Sequence, residues 1–91
     1  EAQVAAVAVR KQVQNDLQRA QATLEGARAQ QAIAMAQREV ARENLELIER
    51  AFRAGERGVV DVLRVRAIAR EAAIAAEAAR LDFGLATARL N

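Results

Sequence analysis

Ninety-one residues, 53% hydrophobic and 29% charged, with 14 basic against 12 acidic side chains and a formal charge of +2, allow one small domain. There is no histidine, cysteine, proline, tryptophan or tyrosine, which removes Cys or His nucleophiles, a disulfide framework and an ordinary nitrogen or sulfur metal site. Acids and bases alternate instead of segregating, so neither a nucleic-acid surface nor a basic membrane-surface helix is expected, and no run reaches the ~18 apolar residues of a membrane span.

The opening, "EAQVAAVAVRKQ", starts with an acid and stays apolar only briefly, unlike a signal peptide. From there to residue 53 the only glycine is Gly26, and the A/E/K/L/R-rich composition is that of long helices and coiled coils. The spacing predicts one helix over about residues 2–53, which at ~1.5 Å per residue is roughly 80 Å long. Steps of four and three from Val13 give a seam of Val13, Leu17, Ala20, Leu24, Ala27, Gln31, Ala34, Arg38, Ala41, Leu45, Ile48 and Phe52. Only Gln31 and Arg38 interrupt it, and the 3.5-residue period is that of a left-handed supercoil. On the opposite side of the cylinder a second seam runs through Ala22, Gly26, Ala29, Ile33, Ala36, Val40 and Leu47. One flank between the seams is polar but uncharged (Thr23, Gln30, Gln37, Asn44); the other carries Glu25, Arg28, Glu39, Arg42, Glu46 and Glu49.

Residues 54–58 read as a turn. Gly55 is placed to end the helix in a left-handed conformation, and Gly58 to cap the next helix, with Asp61 at its third position facing unpaired N–H groups. Second-helix residues, about 59–91, again carry two seams: Val62, Val65, Ala69, Ala72, Ala76, Ala79, Phe83, Ala86 and Leu90, and opposite them Val60, Leu63, Ala67, Arg70, Ile74, Glu77, Leu81, Gly84 and Ala88. So short a turn folds the helices back antiparallel. The expected fold class is therefore all-α: a long antiparallel helical hairpin of coiled-coil type. A helix with two apolar seams wants a neighbour on each side, and both a wall of helices and a three- or four-helix bundle satisfy the periodicity. A hairpin with open seams is expected to self-associate when isolated.

The stretch "F-x-x-G-E-x-G-x-V-D-V-L" at 52–63, with the later "EAAR" and "LDFGLATARLN", resembles the second helical hairpin of the outer membrane efflux protein family, the TolC-like outer membrane factors. The resemblance covers nearly the whole chain and is most specific at 52–63. It implies a segment of a trimeric α-helical barrel, the periplasmic part of a Gram-negative outer membrane protein, working with a periplasmic adaptor and an inner-membrane pump of the resistance-nodulation-division type. It implies further that the chain is a piece of a longer protein, that Ala54, Gly55 and Glu56 form the adaptor-contacting tip, and that Phe52, Arg57 and Asp61 lie at the entrance of the duct. No cofactor and no metal are expected, and no catalysis.

Three departures bear on that expectation. Phe52 lacks the hydroxyl of the family's usual Tyr, Gly58 replaces a Ser or Thr cap at a cost of a few tenths of a kcal/mol, and Arg64 stands where some members have a second acid. Plainer readings remain beside each role: Gly55 as an ordinary C-cap, Asp61 as a helix-start acid, Arg57 as a solvated loop cation. Arg38, Arg70 and Glu77, on seams, are candidates for inter-helix ion pairs that set register. The competing function is a coiled-coil binding module, such as a periplasmic adaptor hairpin or a scaffold helix pair; adaptor tips carry an Arg, a Leu and a Ser at fixed spacing, and "ERAFRAGERGVV" lacks the serine.

Overall fold

A computed structural model describes residues 2–90 as two helices and a turn: α1 (Ala2–Arg53) and α2 (Val59–Leu90). Asn91, expected within the second helix, lies outside the described residues. Among the described residues there is no strand, and the hairpin is a rod of 80 × 16 × 13 Å. Alanine, glutamate, arginine, glutamine and leucine, all good helix formers, carry α1 unbroken through Gly26.

The turn is fixed by its backbone. Gly55 sits at φ 77°, the left-handed region that residues with a Cβ avoid. Its N–H donates to the Phe52 carbonyl at 3.0 Å, and the Glu56 N–H donates to the Ala51 carbonyl at 2.8 Å. These are the two bonds of a Schellman motif, which satisfies carbonyls that the end of a helix otherwise leaves unpaired. On the other side the Val62 N–H donates to the Gly58 carbonyl at 3.4 Å, so Gly58 opens α2 and Asp61 is its third residue.

The helices meet along one seam each. From Ala20 to Ile48 the first seam of α1 is buried or half-buried except at Arg38, and it faces the α2 seam that runs from Val62 to Leu90. The buried core is Ala34, Ala41, Val62, Ala76 and Ala86. Four alanines and one valine make a thin core, so each residue contributes little burial and the hairpin depends on length.

Three apolar seam positions differ from expectation: Phe52, 43% exposed where α1 runs into the turn, and Val13 and Leu17 at the other end. α1 has 52 residues and α2 has 32, so α1 runs on past the end of its partner. The last turn of α2 reaches Arg19 and Ala20, where Ala86 and Arg89 share a surface depression with them. Val13 and Leu17 therefore have no facing helix among the described residues and are 60% and 50% exposed.

The seam charges also behave differently. Glu77 pairs with Arg80 of its own helix at 2.6 Å, three residues on, and neither Arg38 nor Arg70 makes an ion pair among the described residues. Among the described residues the ion pair that crosses the hairpin is instead Arg66 to Glu49, at 3.9 Å. Long side chains on an exposed helix find an i,i+3 or i,i+4 partner at little entropic cost, and this competes with the cross-helix pair.

Candidate docking tip and outer seams

The turn gathers all six sequence-predicted site residues at one end of the rod. Ala54, Gly55 and Glu56 are exposed on the Schellman turn, Arg57 is exposed beside them, Phe52 is 43% exposed, and Asp61 is half-buried in the first turn of α2. Space at Gly55 is open: a Cβ built there meets nothing within 4 Å. Its requirement for glycine is thus conformational within the hairpin, and its bare backbone is available to an approaching surface. Just behind the tip, Glu49 lies 4.0 Å from Arg53 and 3.9 Å from Arg66, one carboxylate bridging the end of α1 to α2. Sequence reasoning placed Glu49 on the charged flank but missed this bridge, because its partner comes from the other helix.

The outer seams form the two long edges of the hairpin. On α1, Ile33, Val40 and Leu47 are 51%, 66% and 60% exposed; on α2, Val60, Leu63, Ile74 and Leu81 lie between 54% and 63%. Isolated exposed apolar residues are ordinary on a protein surface, but a heptad-spaced row of them along a helix is the pattern of an unmade helix contact.

The two faces between these edges differ. One groove is lined by the uncharged flank of α1, with Gln30, Gln37 and Asn44 set against Ile68, Ala75 and Asp82 of α2. The other face carries the charged flank of α1. There Arg42 bonds to Glu39 and, at 2.7 Å, to Glu46, while the Arg28 guanidinium lies 5.8 Å from the centre of the Phe83 ring, a cation–π contact across the hairpin. Hydrogen bonding to Arg42 holds the Glu39 carboxyl below the usual carboxylate range, and bonding to Arg80 does the same for Glu77, with a smaller contribution from the Arg38 charge opposite.

No family model, curated protein or solved structure matches this chain. Among the described residues no three of the His, Cys, Asp and Glu type cluster as a metal site would require, and no helix is long and apolar enough to cross a membrane. What the hairpin exposes is two apolar edges and a tip whose backbone is set by the Gly55 turn.

Proposed function

We propose that the hairpin is a segment of the wall of a trimeric outer-membrane export duct, on its periplasmic side, and that its tip docks the periplasmic adaptor of a tripartite pump. The observation that carries this reading is the pair of exposed apolar edges. A ribbon of two helices whose inner seams are used and whose outer seams are open extends by adding helices at both edges, which is how a wall or tube grows. The resemblance at residues 52–63 supplies the direction, with the tip pointing at the adaptor and Phe52, Arg57 and Asp61 near the entrance.

In this reading the chemistry is that of a conduit. Gly55 and its neighbours present backbone and small side chains on which another helix tip can seat closely, and the polar faces between the edges are the two solvated surfaces of the wall. The test is Gly55→Val in the full-length protein. Export through the cognate pump is expected to be lost while trimer assembly remains, because the substitution acts on the tip and not on the seams. Export at the unmutated level would contradict the tip assignment.

A further inference from the structure

The outer seam of α1 is complementary to itself when reversed. Its positions step four and three residues, and turning a second copy end for end about a point between residues 34 and 35 sets each position against another of the same seam. In this register Ile33 meets Ala36 of the second copy, Ala29 meets Val40, and Ala22 meets Leu47. The remaining layer sets Gly26 against Glu43, whose aliphatic stem can cross the bare glycine and carry its carboxylate out to water. Every layer thus joins a small residue to a larger one, the arrangement that lets two helices approach and interdigitate.

The flanks allow the same register. On one side Gln30 falls beside Gln37 of the second copy and Thr23 beside Asn44, uncharged partners able to exchange hydrogen bonds. On the other side Glu39 falls beside Ala32 of the second copy and Glu46 beside Glu25, a like-charged pair that occurs twice and is offset in part by Arg42, which is bonded to both Glu39 and Glu46. Within α1, the register centred on residue 31 also sets apolar against apolar but takes in six seam positions instead of eight and leaves Leu47 uncovered, and pairings that bring in the outer seam of α2 are poorer. Set α1 against the outer seam of α2 in the register the hairpin uses internally, and Ile33 meets Glu77 while Val40 meets Arg70. Reverse the α2 seam on itself with interleaved layers, and Ile74 meets Glu77 in one register and Arg70 in the other.

We propose that the 91-residue chain forms a two-fold dimer through Ala22 to Leu47 of α1, antiparallel, with the two tips at opposite ends. Such an interface is isologous, each pair of facing residues occurring twice. Residues 22 to 47 span roughly 38 Å of helix. A strip of that length and a helix's width, counted on both copies, is about 1,000 Å², the lower bound for a specific interface. The α2 outer seams are left at the two far edges. The dimer does not rest on the export-duct reading: there the same seam meets a different helix, and failure of one leaves the other standing.

The natural sequence has no cysteine, so disulfide trapping reports the register directly. Ala22→Cys and Leu47→Cys chains, oxidised separately, are expected to stay uncross-linked, because each thiol lies far from its own copy. Mixed, they are expected to form the heterodisulfide. A second pair of variants guards against misreading: Ile33→Ala should weaken dimerisation about a hundredfold, the equivalent of two aliphatic side chains lost per dimer, and Ile33→Ala with Ala36→Ile should restore it. Absence of the mixed disulfide, a disulfide between Ala22→Cys and Ala88→Cys chains instead, or no recovery in the double variant would overturn the proposal.

Discussion

Gly55 is the residue on which the hairpin turns, since its φ of 77° is reached cheaply only without a Cβ. Gly55→Ala meets no steric obstacle and should cost about 1 kcal/mol, from backbone conformation alone; thermal unfolding followed by circular dichroism would measure it. The exposed carboxylates give a second prediction. Arg42 and Arg80 favour the charged forms of Glu39 and Glu77, so both titrate below the ordinary value. Their stabilisation is complete above the ordinary carboxylate range and is lost as the pH falls through the lowered values. Helix content measured in acid titration should therefore decline at low pH, and Glu77→Gln should remove part of that decline and of its salt sensitivity. Gly55 was legible in the sequence, being a glycine at the end of a periodic run. The partner of Glu77 was not, because seam position suggests a cross-helix contact whereas side-chain reach favours Arg80, three residues away on the same helix.

Each helix reads as two strips of different fate, and substitutions should separate them. Val62 is 4% exposed where α2 starts, and Val62→Ala should destabilise the hairpin by about 2 kcal/mol. Val40 is 66% exposed on the outer edge, and Val40→Ala should change hairpin stability by less than ~0.5 kcal/mol while weakening any contact made by that edge. Chemical denaturation of the two variants checks both. The seam that closes the hairpin could be read from the 3.5-residue repeat, from Ala20 to Ile48 with Arg38 the exposed exception and from Val62 to Leu90. The projection of α1 past Ala20 could have been read too, from the unequal distances to the turn, although periodicity alone continued the seam through Val13 and Leu17. The contact of Arg28 with Phe83 left no periodic signal, since it pairs a flank residue with a seam residue of the other helix.

Taken whole, the molecule is a rod 80 Å long and 16 × 13 Å across, with a core of small residues. Such a shape leaves most apolar side chains at the surface and gives the chain a reason to add helices along both edges, whether from a duct wall or from a second copy. The tip is legible in the sequence because glycine and capping chemistry mark it; which helices cover the edges is not, because that information belongs to the partner surfaces. The central claim is that the outer seams are contact surfaces and not solvated faces. Sedimentation equilibrium of the 91-residue chain over a wide concentration range, with helix content recorded in parallel, tests it most directly: the account predicts concentration-dependent association of a helical chain, and a fully helical monomer at every concentration would contradict it.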